Sequence, residues 1–397
     1  MTVSHWRRAP NPRTFECDAL VVGAGVCGLS AALALSRRGL RTAVVERGAV
    51  GSGASTRNAG FLMRGAAENY EAAIGLYGRE LARLVWRWTE ENLAGLRAEG
   101  IGALPSYRAV PSCLLALEEE ELAELTRSQD LMREDGFRVG WMSSGEDAVW
   151  RHGRPLGGLV NPDDASINPA DLMRLLASNV GPIFEHQEVF AVEPGARAVT
   201  LRTAEMSLSA PRVLFCTNAY APLLFPGMAD LVKPRRGQML AIRAPGLRLD
   251  CSYYANHGYE YFRQTSDGSV VVGGCRRAFA DVEVGYEDTT TPAVQSALER
   301  FARERLGLKA GAYEIVARWS GTMGFSPDGL PLMGPIPDLA GEREGRVWFC
   351  GGFTGHGMSM GFRAAHAAVA AMIDGGDNPL PLARAARGPG AVLGAQR

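Results

Sequence analysis

Lysine is almost absent from this chain: only Lys233 and Lys309 occur, beside forty arginines. A function that needs a catalytic amine therefore has two candidates at most. Acidic and basic residues nearly balance, with a formal net charge of −1, so no excess charge favours nucleic acid or an anionic membrane as a partner. No run of eighteen apolar residues occurs, and no apolar stretch follows Arg7 and Arg8. We therefore expect a cytoplasmic protein without a membrane span.

Paired cysteines are also lacking. The seven cysteines are odd in number, scattered, and never spaced as CxxC, which argues against a disulfide framework and against a zinc site. Cys216 and Cys350 stand in apolar runs, where a buried free thiol is the expected state.

Glycine, in contrast, is abundant and well placed near the N-terminus. The apolar run 19–22 predicts a strand that leads into a turn containing Gly23, Gly25 and Gly28, and a helical pattern follows. The first glycine suits a tight turn, the second a close approach to pyrophosphate, and the third close helix–strand packing. A second apolar run ends at Glu46, which is placed to accept hydrogen bonds from a ribose. The pattern predicts dinucleotide binding, and the acid favours FAD or NAD over NADP.

A second strand, glycine turn and helix occur near the C-terminal end. The apolar run 347–350 predicts a strand, residues 351–357 a glycine-rich turn, and residues 358–373 a helix. Such a helix could point its N-terminus at the N1–C2=O edge of a flavin, where negative charge gathers on reduction. Taken alone, the turn is equally compatible with a plain strand–helix connection. Together, the two turns favour FAD.

The element pattern predicts an α+β protein. The pattern indicates an α/β, Rossmann-like nucleotide-binding domain made of discontinuous segments and interrupted by a sheet-rich antiparallel segment. The family resemblance described next implies that these are an FAD-binding domain and a substrate domain. The predicted FAD-binding segments are residues 1–105, 151–230 and 316–397, and the predicted substrate-domain segments are residues 106–150 and 231–315.

Four parts of the sequence resemble the D-amino-acid oxidase, sarcosine oxidase and glycine oxidase family of FAD-dependent oxidoreductases. They are residues 21–28 with Glu46, residues 53–58, residues 319–334 and residues 352–358. The resemblance implies FAD, a substrate domain over one flavin face, and oxidation of a C–N bond by hydride transfer to flavin N5. It also implies hydrolysis of the imine and, usually, reoxidation of the flavin by O₂ with release of H₂O₂.

The resemblance also supplies candidate cofactor-binding residues. Arg57 and Asn58 would lie beside the pyrophosphate and flavin, although Arg57 could instead form a surface ion pair. Val189 would contact adenine through its backbone, but a core valine looks the same in sequence. His356 is better explained as a histidine fixed beside the flavin edge than as an acid or base. The full predicted set is Gly23, Gly25, Gly28, Glu46, Arg47, Ser55, Arg57, Asn58, Val189, Thr217, Gly352, Phe353, Gly355, His356, Gly357 and Met358.

Three positions depart from the family pattern. Met323 stands where amino-acid oxidases carry an arginine that holds the substrate carboxylate, and Ser359 stands where sarcosine oxidases carry a lysine. Gly321 replaces the cysteine that anchors flavin covalently, so we expect non-covalent FAD. Since a buried unpaired carboxylate is costly, ordinary α-amino acids are doubtful substrates unless another arginine serves.

Arg263 is the first candidate for that arginine, followed by Arg276 and Arg277. On the same predicted strand Tyr259 and Tyr261 alternate with other residues, so one face could present phenols to a substrate; ordinary sheet residues would show the same pattern. The candidate catalytic residues are His356, Arg263, Tyr259 and Tyr261.

We therefore expect an FAD-dependent oxidase of an amine or N-substituted amino acid, with O₂ or another electron acceptor. Neither lysine is a convincing oxygen-activating residue, so a dehydrogenase with another acceptor remains open. The alternative is an FAD-dependent dehydrogenase of a 2-hydroxy acid or other small acid. A nicotinamide-only dehydrogenase and a non-catalytic FAD-containing subunit are two further hypotheses. We expect no metal and no nucleic-acid partner.

Overall fold

The computed structural model describes residues 4, 6, 11–339, 345–382 and 384. The strands are Arg13–Glu16 (β1), Ala19–Val22 (β2), Thr42–Val45 (β3), Phe61–Leu62 (β4), Ser112–Ala116 (β5), Gly140–Met142 (β6), Gly157–Asn161 (β7), Ala165–Ser166 (β8), Ile183–Phe184 (β9), Ala191–Pro194 (β10), Val199–Arg202 (β11), Met206–Ala210 (β12), Arg212–Phe215 (β13), Lys233–Arg243 (β14), Ser252–Ala255 (β15), Glu260–Gln264 (β16), Val270–Gly274 (β17), Glu314–Phe325 (β18), Leu332–Pro335 (β19) and Val347–Gly351 (β20). The α-helices are Val26–Ser36 (α1), Tyr70–Tyr77 (α2), Arg79–Ala98 (α3), Glu119–Glu134 (α4), Ala148–His152 (α5), Pro169–Ser178 (α6), Pro292–Leu306 (α7) and Gly357–Val369 (α8).

The chain divides into two compact units, each made of separate segments. The first unit contains Met1–Ser55, Leu172–Pro234 and Met323–Arg397, and the second contains Thr56–Asp171 and Arg235–Thr322. Sheet and helix content in both units confirms the predicted α+β class.

The first unit is built on a mostly parallel sheet. In the described part of the chain this sheet has six strands in the order β19-β20-β13-β2-β3-β9, and only the edge strand β19 runs antiparallel to its neighbour. Every residue of β2 and β3 is buried, as expected for a parallel sheet covered on both faces. A smaller sheet, β1-β12-β11-β10, packs against it through a shared apolar core.

Helices α1 and α8 pack closely against each other in this unit. A side chain at Gly361 would place its Cβ 3.0 Å from Cγ1 of Val26, so glycine allows the close approach of the two helices. Both helices begin directly after glycine turns, so their packing holds the two turns in a fixed arrangement.

The second unit is built on a mostly antiparallel sheet. In the described residues its order is β18-β14-β17-β16-β15-β5-β7-β6, and a two-stranded pair, β4-β8, lies beside it. One face of the large sheet forms a core with α7 that includes Phe262, Leu298 and Phe301. A second, smaller cluster in this unit includes Phe61 and Tyr261.

The unit boundaries differ from the predicted segments. Residues 56–105, 151–171 and 316–322 were predicted in FAD-binding segments but lie in the second unit, and residues 231–234 were predicted in a substrate-domain segment but lie in the first. The reason is pairing: β4 pairs with β8, β7 pairs with β5 in the large sheet, and α2 packs on both α3 and α4. Helices α2 and α3 are separated only by Gly78, whose φ of +81° ends one helix before the next begins. None of the described helices combines the length and apolar character needed to cross a bilayer.

Candidate functional site

The first glycine turn connects β2 to α1 in the first unit. Gly23 has φ +106°, and a Cβ there would lie 2.8 Å from the carbonyl oxygen of Cys216. A Cβ on Gly28 would lie 1.8 Å from the oxygen of Gly23, and one on Gly25 would lie 2.7 Å from Oγ of Ser55. Backbone atoms therefore exclude a side chain at Gly23 and Gly28, and a side chain at Gly25 would displace the Ser55 hydroxyl. The turn leads directly into a helix N-terminus, an arrangement suited to phosphate.

Two side chains fix this turn from outside. Oγ of Ser55 accepts a hydrogen bond from the backbone N–H of Val26 at 2.9 Å, which satisfies one free donor of the helix start. Glu46 follows β3, and its carboxylate accepts hydrogen bonds from the backbone N–H groups of Ala24 and Gly48, each at 2.8 Å. Glu46 is only partly buried, so its oxygens retain lone pairs for a ribose hydroxyl.

Three further predicted residues lie in the first unit. The guanidinium of Arg47 stacks over the ring of Tyr220, 3.7 Å from its centroid. Val189 is buried in the apolar core, just before β10, which agrees with the core-valine alternative. Oγ1 of Thr217 is buried, and no hydrogen-bond partner for it occurs within the described residues. Thr217 lies beside the first glycine turn, because its backbone N is 3.7 Å from the point where a Cβ on Gly23 would be.

The second glycine turn connects β20 to α8. Gly352, Thr354 and Gly355 have φ values of +72°, +48° and +88°. The backbone N–H of Gly352 donates to Oδ1 of Asn218 at 2.9 Å, so the residue after Thr217 ties the turn to the end of β13. Met323 occupies the position of the expected arginine. Its sulfur lies 3.8 Å from the point where a Cβ on Gly355 would be.

His356 caps the N-terminus of α8. Its Nδ1 donates to the carbonyl oxygen of Thr354 at 3.1 Å, which leaves Nε2 as the acceptor of the neutral ring. Desolvation lowers the pKa of the imidazole below its usual value. Phe353 and Met358 are buried on either side, and Gly357 begins the helix. The histidine is thus held in one orientation as a neutral residue at neutral pH.

Arg57 and Asn58 lie in the second unit. Nη1 of Arg57 contacts Oδ1 of Asp288 at 2.5 Å and donates to the carbonyl of Ser320 at 2.9 Å. This is the ion pair named as the alternative in the sequence analysis. Asn58 accepts a hydrogen bond from the backbone N–H of Gly60 at 2.7 Å and so shapes its own loop.

Arg263 has a different environment from the one predicted. Its side chain is buried in the second unit and donates to the carbonyl oxygens of Ala59, Ile167 (2.7 Å) and Gln264 (3.3 Å). Burial, reinforced by nearby positive charge, lowers its pKa to about 10. The contacts favour a role in holding loops together over the predicted carboxylate clamp, because the guanidinium already donates to three backbone groups.

Tyr261 belongs to a set of residues that we call the aromatic face. Its ring centroid lies 5.7 Å from that of Tyr254 and 6.1 Å from that of Phe61, and burial raises its pKa to about 12. A Cβ on Gly273 would lie 2.3 Å from the Tyr261 ring, so this glycine makes room for the phenol. The aromatic face consists of Phe61, Met239, Tyr254, Tyr261 and Trp319. Tyr259 lies just before β16, with the guanidinium of Arg277 5.3 Å from its ring centroid.

Most of the aromatic face was not found from the sequence. Tyr254 lies on β15, whose four-residue run Ser-Tyr-Tyr-Ala is a recognisable strand signal between polar residues. Phe61 lies on a two-residue strand, which is too short to show periodicity. Trp319 begins the family-like segment 319–334, and its indole N–H donates to the carbonyl of Arg57 at 3.1 Å.

The comparison with known families decides the classification. A family model described as FAD dependent oxidoreductase (DAO) matches residues 18–371. The chain belongs to this family.

Similar proteins agree with this FAD-dependent oxidoreductase assignment. A glycine oxidase of Geobacillus kaustophilus (strain HTA426) is 29% identical over 342 residues, covering 83% of this chain and 86% of the relative. The gamma-glutamylputrescine oxidoreductase of Escherichia coli (strain K12) is 25% identical over 369 residues, covering 87% of this chain and 81% of the relative. The crystal structure of glycine oxidase from Geobacillus kaustophilus matches with a TM-score of 0.75 at 23% identity, covering 93% of this chain and 98% of that one. These findings confirm the predicted family resemblance and the FAD requirement.

The first unit of this FAD-dependent oxidoreductase fits its cofactor. The glycine turn brings the start of α1 to a surface without side chains at positions 23, 25 and 28, where the backbone can approach a pyrophosphate. The buried hydroxyl of Thr217, beside the same turn, is a polar group that a ligand would satisfy. The individual site residues nevertheless remain predictions.

Proposed function

We propose that this enzyme oxidises the C–N bond of an amine or N-substituted amino acid and passes the electrons to O₂. FAD would be held without a covalent bond, since Gly321 offers no nucleophile. Bound FAD supplies an electron-poor ring system that accepts a hydride from the carbon next to nitrogen. The protein's contribution is to bind the substrate, exclude water and hold charges where they are needed.

The pair of glycine turns on one sheet carries this proposal. One turn opens α1, whose N-terminus suits the pyrophosphate; the other opens α8. The N-terminus of α8 would offer a partial positive charge to a ring that becomes more negative as it gains electrons. His356 at this N-terminus is fixed by Thr354, so we assign it a positioning role and no proton transfer.

The relatives support C–N oxidation as the reaction class. By their names, one is a glycine oxidase and another a gamma-glutamylputrescine oxidoreductase, so both an amino acid and an amine derivative occur among their substrates. Arg263, the first candidate clamp for the carboxylate of a 2-hydroxy acid, already donates to three carbonyls, so such a substrate would depend on another arginine.

The aromatic face supports a substrate with an apolar body. Its members form edge-to-face contacts and surround Tyr261, whose phenol keeps its proton at neutral pH because its pKa is raised. Arg276 is close enough to Tyr261 to lower that tyrosine's pKa, and its own burial lowers the pKa of its guanidinium. We assign Arg276 as the group that would hold a substrate carboxylate.

The test uses purified holoenzyme under anaerobic conditions and a panel of amines, N-substituted amino acids and 2-hydroxy acids. Loss of the visible flavin absorbance with an amine, recovery in air and formation of H₂O₂ would support the proposal. Bleaching without recovery would refute the assignment of O₂, and bleaching by 2-hydroxy acids alone would refute C–N oxidation. A colourless protein that does not take up FAD would refute both.

Arg276→Met tests the substrate assignment, with Arg277→Met as the matched control. We expect the first variant to raise KM for amino acids by about tenfold or more, the equivalent of one charge-assisted hydrogen bond, and to leave KM for amines without a carboxylate unchanged. The second should change neither, because Arg277 is exposed. An equal effect of Arg276→Met on both substrate classes would refute the clamp.

A further inference from the structure

Three cysteine sulfurs meet in the first unit. Sγ of Cys27 lies 3.5 Å from Sγ of Cys216 and 3.4 Å from Sγ of Cys350. Cys27 is the second residue of α1, Cys216 directly follows β13, and Cys350 lies in β20. Each comes from a different one of the three segments that form this unit. The sequence spacing gives no sign of this cluster, because 189 and 323 residues separate its pairs.

The cluster lies directly behind the first glycine turn. A Cβ on Gly28 would contact Cβ of Cys216 at 3.4 Å, and the carbonyl of Cys216 limits the space at Gly23. All three cysteines are buried, with at most 9% of each residue exposed. A metal site is not supported, since no group of three or more potential ligands among the described residues has a suitable arrangement.

The environment of Cys27 favours a reactive thiolate. The N-terminus of a helix carries a partial positive charge that stabilises a negative sulfur. As a thiol, Cys27 donates to the sulfurs of Cys216 and Cys350 and to the carbonyl oxygen of Cys350 at 3.7 Å. Hydrogen bonding between the Cys27 thiolate and the two neighbouring thiols lowers the pKa of Cys27, whereas burial and the Cys27 sulfur raise the pKa of both neighbours. A thiolate in contact with a second thiol can form a disulfide once an oxidant reaches it.

We propose that Cys27 is an oxidation site for hydroperoxides that closes a disulfide with Cys216 or Cys350. The Cys27 thiolate attacks one oxygen of H₂O₂; the O–O bond breaks, Cys27 becomes a sulfenic acid, and the departing hydroxide takes up a proton to form water. The neighbouring sulfur then attacks Cys27, the S–O bond breaks, and a second water leaves. Two thiols and one H₂O₂ thus give one disulfide and two waters.

This step does not depend on the proposed oxidase activity, because the peroxide can be added as a reagent. The sulfurs must approach from 3.4–3.5 Å to about 2.05 Å, the length of a disulfide bond. The required movement is about 1.4 Å. The disulfide would join α1, and with it the first segment of the unit, covalently to one of the two later segments.

The experiment treats the reduced holoenzyme with H₂O₂, stops the reaction with catalase, and alkylates free thiols in denaturant without reductant. Peptide mapping should show the Cys27 peptide linked to that of Cys216 or Cys350, and alkylation of five of the seven cysteines. Alkylation of all seven, a disulfide without Cys27, or a sulfinic acid at Cys27 without a cross-link would each overturn the proposal. This measurement needs no variant.

Variants then identify the shared sulfur. Cys27→Ala should abolish the cross-link, whereas Cys216→Ala and Cys350→Ala should each retain one. Cys17→Ala is the matched control and should cross-link as the wild type does, because Cys17 is equally buried and its desolvation raises its pKa to about 11. A cross-link that persists in Cys27→Ala would refute the assignment even if the wild type forms a disulfide.

Discussion

Thr217→Val offers a test of the FAD site in which affinity and stability should change in opposite directions. The variant keeps the shape of the side chain but removes a buried hydroxyl without a hydrogen-bond partner in the described part of the protein. A buried polar group left unpaired costs about 1–3 kcal/mol, so the apoenzyme variant should be more stable by about 1 kcal/mol or more. If FAD supplies the missing partner, the variant also loses a net hydrogen bond of about 0.5–1.5 kcal/mol, and Kd for FAD should rise about two- to tenfold.

The assay combines urea denaturation of the apoenzyme with an FAD titration followed by fluorescence. Thr203→Val is the matched control in the same unit, because its hydroxyl donates to Oε1 of Gln187 at 2.6 Å and accepts from the N–H of Met206 at 2.9 Å. That variant should destabilise the apoenzyme and leave Kd unchanged. An unchanged Kd in Thr217→Val would refute the assignment of this hydroxyl to the cofactor site.

Three further variants have effects that follow directly from the structure. Burial raises the pKa of Asp164 to about 7, so its protonation favours the folded state. The free energy of unfolding should therefore fall by about 2 kcal/mol as pH rises from about 5.5 to about 7.0. Asp164→Asn should abolish this pH dependence when urea denaturation is measured at each pH. Arg236→Met leaves the buried carboxylate of Glu283 without its ion pair and should lower the free energy of unfolding by about 3–5 kcal/mol. Gly28→Ala places a Cβ 1.8 Å from a backbone oxygen and should abolish FAD retention on gel filtration.

Each of these has a neighbouring control. Asp163→Asn removes a carboxylate that pairs with Arg138 at the surface and contributes less than burial to the raised pKa of Asp164, so most of the pH slope should remain. A slope that survives in Asp164→Asn contradicts the first prediction. Arg243→Met, at the end of the same strand as Arg236, breaks an exposed pair and should cost less than about 1 kcal/mol; equal losses would contradict the second. Gly53→Ala meets no atom within 4 Å and should retain FAD, and retention by Gly28→Ala as well would contradict the third.

The local signals of the first unit were strong enough to predict much of its fold. Buried strands followed by glycines and a helix form a short-range pattern, and Gly23 and Gly28 have the steric roles expected of them. The second turn was predicted for the same reason. The resemblance could place Thr217 near the cofactor. It could not show that the hydroxyl lacks a hydrogen-bond partner among the described residues, since that depends on which atoms surround it.

The second unit was harder to predict because its features depend on long-range pairing. Arg263 has the composition and strand position of a binding residue, yet loops about 100 and 200 residues away supply its carbonyl partners. The compact units depart from the predicted segments for the same reason, as the partner of β4 lies about 100 residues along the chain. The aromatic face combines residues from five separate stretches, so no sequence window contains it.

The order of strands in the first unit also has a consequence for biosynthesis. β2 and β3 belong to the first fifty residues, but β20 completes their sheet only at Gly351, and α8 covers α1 later still. Until α8 has been synthesised, the almost wholly apolar helix α1 lacks the helix that buries it. Most of the chain must therefore emerge from the ribosome before the first unit can fold completely. We expect the nascent protein to depend on chaperones during translation, and FAD to be acquired only after synthesis of the last segment.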